Sequence, residues 1–129
     1  MLNDTLSNAL SNIKNAEGIG KSTCIVRPSS KLIKEVLTLM NAHGYVGDFN
    51  EVDDGKGKYI VVNLIGKINN CGGIKPRFSI KKDNYEKFEK RFLPAKDFGI
   101  IIISTSKGIM THEDAKKENL GGKLLSFVY

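Results

Sequence analysis

The run Phe98, Gly99, Ile100, Ile101, Ile102, Ile103 is the most apolar stretch of the chain, and it stops abruptly at Ser104, Thr105, Ser106 and Lys107, before Gly108. Such a run is far short of the roughly 20 residues that a membrane span needs. A short apolar run bounded by turn residues reads instead as a strand, here the most buried one. Ile109, Met110 and Thr111 begin a return strand, which puts residues 104–108 on the turn between two core strands. A chain of 129 residues is long enough to bury such a sheet, as one domain or as two small ones.

The first half reads as helices and a hairpin. Leu6, Ala9, Leu10 and Ile13 follow helical spacing over residues 4–16, with Asp4 or Thr5 as cap and Gly18 beyond the end. The polar face of this helix carries Ser7, Asn8, Ser11, Asn12 and Asn15, which are weaker helix formers than the Lys and Glu suited to water alone. Short hydrogen-bonding side chains suit contact with something else, although a face under no strong pressure reads the same way. "STCIVR" alternates and is a short strand ending at Pro28. A second helix, capped by Ser29 or Ser30, has Leu32, Ile33, Val36, Leu37 and Met40 as its buried stripe and Gly44 after its end. "YVGDFNEV" and "KYIVVNLI" flank "DDGKG", a hairpin signal, which gives the order α-β-α-β-β.

"GKINNCGG" is rich in Gly and Asn and marks the expected boundary between units 1–66 and 67–129. Beyond it, "IKPRFSIK" alternates Ile74, Phe78 and Ile80 with Lys75, Arg77, Ser79 and Lys81, so one strand face is apolar and the other basic. Pro76 argues for a sheet edge. Tyr85, Phe88 and Phe92 define the inward side of a short helix stopped by Pro94. Thr111 with Asp114 makes a capping-box-like start to the helix "HEDAKKE", and "KLLSFVY" is a final strand. The fold class expected is α+β, an N-terminal α-β-α-β-β unit with a mostly β C-terminal unit containing short helices.

The net charge of +6 is concentrated: residues 67–96 hold nine basic side chains against three acidic ones. A basic segment in a soluble protein most often meets a polyanion, and Lys75, Arg77 and Lys81 are placed to neutralise phosphates. Cys24 and Cys71 are far apart, without C-x-x-C spacing or a neighbouring His, so neither a zinc site nor a disulfide framework is suggested. "MLNDTLSNAL" lacks the basic start of a signal peptide and carries Asp4. The expectation is a soluble protein that stays inside the cell, with no metal and no membrane contact.

Enzyme motifs fail on inspection. "GIGKST" resembles the end of a phosphate-binding loop, but the first glycine of that motif would fall on Asn15, and the segment follows a helix and opens a strand, the reverse of what the motif needs. His43 follows a helix stripe, and His112 starts a short capped helix whose Glu113 and Asp114 are ordinary first-turn acids. Nothing singles out one serine of "STSKGIMTHED" as a nucleophile. No catalytic residue, cofactor or small-molecule substrate is assigned.

Three short hydroxyls on a glycine turn can reach into a shallow surface. The wide minor groove of an RNA helix, with its 2′-hydroxyls and base edges, is such a surface, and Lys107 would add a phosphate contact. "GIIIISTSKGIMTHEDAK" closely resembles the C-terminal signature of ribosomal protein eight of the small subunit, through Gly99, the isoleucines, Ser104, Thr105, Gly108, Ile109, Met110, Ala115 and Lys116. "LSNALSNIKNA", "PSSKLIKEVLTLM" with "GYV", and "LGGKLLSFVY" extend the resemblance over nearly the whole chain. Residues 74–99 look like the longer archaeal and eukaryotic form.

The resemblance implies two units packed together on the central domain of small-subunit ribosomal RNA, with neighbouring small-subunit ribosomal proteins as further partners, in the cytoplasm. By matching position, Ser104, Thr105, Ser106, Lys107 and Gly108 would form the loop that recognises an irregular RNA helix. Ser30 and Lys31 match an RNA-contacting position, and Lys14 and Asn15 lie on the polar face of the first helix. Many bacterial relatives carry an acid after the paired glycines, where this chain has Lys123, so a contact there should differ in kind. The alternative role is translational repression through binding of the protein's own messenger RNA, as some family members do.

Overall fold

The computed structural model of the chain describes residues 5–27, 29–74, 79–81, 83–94 and 98–129. Leu6, Ala9, Leu10, Ile13 and Ala16 are spaced to share one side of a helix, and they form the buried stripe of α1 (Thr5–Gly18), leaving Asn8, Ser11, Asn12, Lys14 and Asn15 exposed. In β1 (Thr23–Val26) the alternation is realised: Cys24 and Val26 are buried, Thr23 and Ile25 exposed. The helix α2 (Lys31–Ala42) buries Ile33, Val36, Leu37 and Met40; Leu32, expected in that stripe, is half-buried. Its N-cap is Ser30, whose side chain accepts a hydrogen bond from the Ile33 N–H at 3.2 Å.

The hairpin of β2 (Val46–Asp53) and β3 (Lys58–Leu64) closes through Asp53 and Asp54, whose carboxylates accept from the Gly55 and Lys56 N–H groups at 3.0 and 2.9 Å. The three strands form an antiparallel sheet in the order β1-β3-β2. Val46, Ile60, Val62, Leu64, Cys24 and Val26 are its buried residues. These elements make the first of two compact units, Met1–Cys71 and Gly72–Tyr129.

The division falls beyond the expected position of 66/67. The Glu17 carboxylate accepts from the Gly66 and Ile68 N–H groups at 3.1 and 3.2 Å, and the Cys71 thiol donates to the Leu10 carbonyl at 3.4 Å. Those bonds hold the connecting segment to α1.

The division falls inside β4 (Cys71–Gly73), and that strand with β5 (Ser79–Ile80), β6 (Ile100–Thr105), β7 (Gly108–Thr111) and β8 (Gly122–Val128) builds a five-stranded sheet. Its order is β4-β8-β6-β7, with β5 also paired to β8. The sequence gives no notice of β4, which has neither alternation nor β-branched residues. Lys75, Pro76, Arg77 and Phe78, the middle of the expected basic-faced strand, lie outside the described residues.

Ile100, Ile101, Ile102 and Ile103 are all buried, so both faces of β6 are covered at that level. One face carries Ile101 and Ile103, which cluster with Leu124, Ile74 and Ile80 against Tyr85 and Phe88 of α3 (Tyr85–Phe92) and Ala115 of α4 (His112–Lys117). Phe92, expected inward, packs partly buried against this cluster. Thr111 caps α4, its hydroxyl accepting from the Asp114 N–H at 3.3 Å. The architecture is α+β, with helix-strand units first and a mostly β sheet after them.

Candidate nucleic-acid interface

The turn between β6 and β7 is held by its own threonine. Thr105 and Gly108 are cross-strand partners, so Ser106 and Lys107 are the two residues at the tip. The Thr105 hydroxyl accepts from the Lys107 N–H at 3.2 Å and donates to the Gly108 carbonyl at 2.7 Å. Gly108 takes a φ of +112°, and among the described residues Asn119 is the only non-glycine with a positive φ. The glycine therefore absorbs the left-handed step that brings the chain back along the strand, while Ser106 and Lys107 keep ordinary backbone angles.

Of the three hydroxyls, Thr105 is committed to the turn, whereas Ser104 and Ser106 are exposed and have no hydrogen-bond partner among the described residues. Lys107 extends from the tip and comes within 3.9 Å of Glu118, a contact between two well-exposed groups that contributes little.

Pairing widens this surface beyond the loop. Ser104 is the cross-strand partner of Lys123 in β8, and Lys123 is the partner of Ser79 in β5. Ser79, Lys123 and Ser104 are all exposed and stand abreast across three strands, a row about 10 Å wide at the usual strand spacing. The approach of the strands requires the bare backbone of the paired glycines: a Cβ at Gly122 would collide with the Ser104 carbonyl oxygen, and one at Gly121 with the Ile80 carbonyl oxygen. Lys81, exposed, follows β5, and its Cα is next to Gly121.

The other expected contact residues fall on separate elements. Ser30 and Lys31 open α2 in the first unit, with Lys31 exposed and the Ser30 hydroxyl engaged as the cap. Lys14 and Asn15 are exposed on the last turns of α1. Lys75 and Arg77 lie outside the described residues. Sequence reading left Ser79 out of the site and gave Lys123 only as a point of departure from relatives, since their alignment with Ser104 is a matter of strand register.

The sequence pattern of the family described as ribosomal protein S8 matches residues 4–129. A curated protein named small ribosomal subunit protein uS8, from Methanococcoides burtonii, is 54% identical over 129 residues, covering 100% of this chain and 99% of its own. The chain belongs to the ribosomal protein S8 family. Members of the S8 family are RNA-binding proteins of the ribosome that serve translation, not enzymes.

The titratable groups of this S8 chain fit a structural role. His112 is buried, and its Nδ1 accepts from the Ile101 N–H at 3.0 Å, which leaves the proton on Nε2, 3.0 Å from Glu89 Oε1. Glu89 Oε1 is also 2.6 Å from Lys116 Nζ. Burial pushes the His112 pKa below the ordinary histidine value against the pull of Glu89, with Lys116 adding to the depression. The imidazole thus joins α4 to β6 and α3 through hydrogen bonds to a backbone amide and a carboxylate.

The Cys71 thiol is pushed up to about 12 by burial, which leaves it protonated and inert, and Cys24 is shifted upward for the same reason. Among the described residues no group of three or more His, Cys, Asp or Glu is placed to hold a metal, and no helix is long and apolar enough to cross a membrane.

Proposed function

We propose that this chain is a structural component of the small ribosomal subunit that binds the central domain of small-subunit ribosomal RNA and supports subunit assembly, with the β6–β7 loop reading an irregular helix through its minor groove. The observation that carries the reading is the division of labour in the loop. Thr105 fixes the turn, so that Ser104, Ser106 and Lys107 are presented at little ordering cost.

Exposed hydroxyls are suited to 2′-hydroxyls and base edges, while Lys107, Lys123 and Lys81 supply positive charge for phosphates. Lys14, Asn15 and Lys31 add further exposed polar contacts from the first unit, and Lys75 and Arg77 further charge by sequence. Lys123, standing beside Ser104, makes this position a phosphate contact, where an acid would instead accept hydrogen bonds. The place of work is the cytoplasmic ribosome, and neighbouring small-subunit proteins are the other partners.

The test is a titration of the chain into a short RNA copying the central-domain helix, at two salt concentrations, with excess transfer RNA as competitor. Tight binding that survives the competitor is expected, with log affinity falling against log salt by about 0.7 to 0.9 per neutralised phosphate. Binding abolished by transfer RNA would mean that the surface is basic without being selective.

A further inference from the structure

The loop at residues 104–108 hangs between two arms of unequal support. β6 is flanked by β8 and β7, whereas β7 is a four-residue strand at the edge of the sheet, paired among the described strands with β6 alone. A short edge strand of this kind opens easily by itself. Its pairing runs from Thr105 and Gly108 at the loop to Ile102 and Thr111 at the far end. Ser106 and Lys107 stay preorganised only while both arms keep that register.

A side chain closes the far end. His112 directly follows β7, and its Nδ1 takes the Ile101 N–H at 3.0 Å, one residue beyond the last backbone pair, so the imidazole serves as one more rung of the β6–β7 ladder. An imidazole nitrogen accepts only while the other nitrogen carries the sole proton. A second proton would fall on Nδ1 and set a donor against the Ile101 N–H, where His112 is 2% and Ile101 1% exposed and water cannot satisfy either group. The charges around the ring do not offset that loss. Glu89 of α3, 3.0 Å from Nε2, favours an imidazolium, but the same Oε1 is 2.6 Å from Lys116 Nζ of α4, which opposes one. Glu113, also on α4, favours it, and β6 and β7 carry no charged side chain. Burial prevails and keeps the ring neutral.

We infer that His112 is a positioning residue for the RNA loop: its unprotonated Nδ1 latches the return arm of the hairpin to β6, and a second proton on the ring opens the latch and lowers RNA affinity. The inference rests on the assignment of residues 104–108 to RNA above and adds a proton as the regulator of that contact.

The experiment follows amide hydrogen exchange and RNA affinity of the full chain between about pH 7.5 and about pH 5, on either side of the ordinary histidine value, with the short RNA copying the central-domain helix as probe. Below about pH 6.5 the open hairpin takes up a proton that the closed one refuses, so opening at the Ile101 amide, relative to its intrinsic exchange rate, should rise by about ten-fold or more. RNA affinity should fall by about three-fold as the binding-competent form is depleted. His112→Asn keeps an acceptor where Nδ1 was and cannot titrate, so its Ile101 exchange and its RNA affinity should stay level over the same range, with the exposed His43 common to both chains. His112→Leu has no acceptor and should bind RNA more weakly than His112→Asn at neutral pH. Ile101 opening that ignores pH, an affinity that stays level while the amide opens, or an equal fall in His112→Asn overturns the latch. RNA bound at no pH overturns the loop assignment instead, and the exchange data still decide whether His112 latches the hairpin.

Discussion

Replacing Thr105 by valine removes one oxygen while keeping the branched shape that suits the end of a strand. That oxygen makes two hydrogen bonds, to the Lys107 N–H at 3.2 Å and to the Gly108 carbonyl at 2.7 Å. Both backbone groups lie on an exposed turn where water can replace the lost partner, so each bond is taken at the low end of the usual range, and the pair contributes about 1 kcal/mol. If all of that appears as loosening of the free loop, RNA affinity falls by about five-fold through lost preorganisation alone.

Ser106→Ala makes a sharp comparison, because that hydroxyl has no hydrogen-bond partner among the described residues. It should leave stability within about 0.5 kcal/mol of the parent, and its effect should fall on RNA binding. Urea unfolding, amide hydrogen exchange at Lys107 and the RNA titration together separate the two. The Lys107 amide should exchange faster in Thr105→Val and at the parent rate in Ser106→Ala. If Thr105→Val weakens RNA binding with the Lys107 amide as protected as before, the threonine hydroxyl reads RNA and does not hold the turn.

Three further outcomes are expected. His112 titrates lower in the folded than in the unfolded protein, so the unfolded state binds the extra proton as pH falls below about 6.5, and stability is lost there by at most about 1.4 kcal/mol per pH unit. Urea unfolding across that window should show the slope in the parent and lose it in His112→Asn; an unchanged slope would place the effect elsewhere. Gly122→Ala drives a methyl into the Ser104 carbonyl and should destabilise the chain by about 1 to 3 kcal/mol, read as a lower urea midpoint, with an unmoved midpoint counting against the close approach. Lys123→Ala should lower the salt slope of RNA binding by about 0.7 to 0.9 if one phosphate contact is lost, and leave it unchanged if Lys123 only faces solvent.

Much of this fold was legible because local chemistry and tertiary structure agree. The stripe of Leu6, Ala9, Leu10 and Ile13 defined α1, and Ser30 and the Thr111–Asp114 pair cap the helices that they were read to cap. β4 was not legible, since Cys71, Gly72 and Gly73 become a strand through pairing with β8 and not through any preference of their own. The loop was visible as a row of hydroxyls, but sequence could not tell the one that turns inward from the two that face out. Nor could it place Lys123 beside Ser104. That alignment depends on a register shift between Ile102 and Ile103 in the β6–β8 pair, and one residue of slip would send Lys123 to the opposite face.

The position of β8 has a consequence for how the protein is made. β8 is bonded to β4, β5 and β6, yet it follows all of them in chain order. While it is being synthesised, the nascent chain carries the β6–β7 ribbon without the strand that completes the sheet, and a two-stranded ribbon alone is marginal in water. The hairpin bearing Ser104 to Gly108 is therefore complete in sequence before the strand that makes it firm. A released chain truncated before Gly122 should be cut by protease within residues 100–105, and the full chain should resist. Without the last strand, four isoleucines are left in need of shelter.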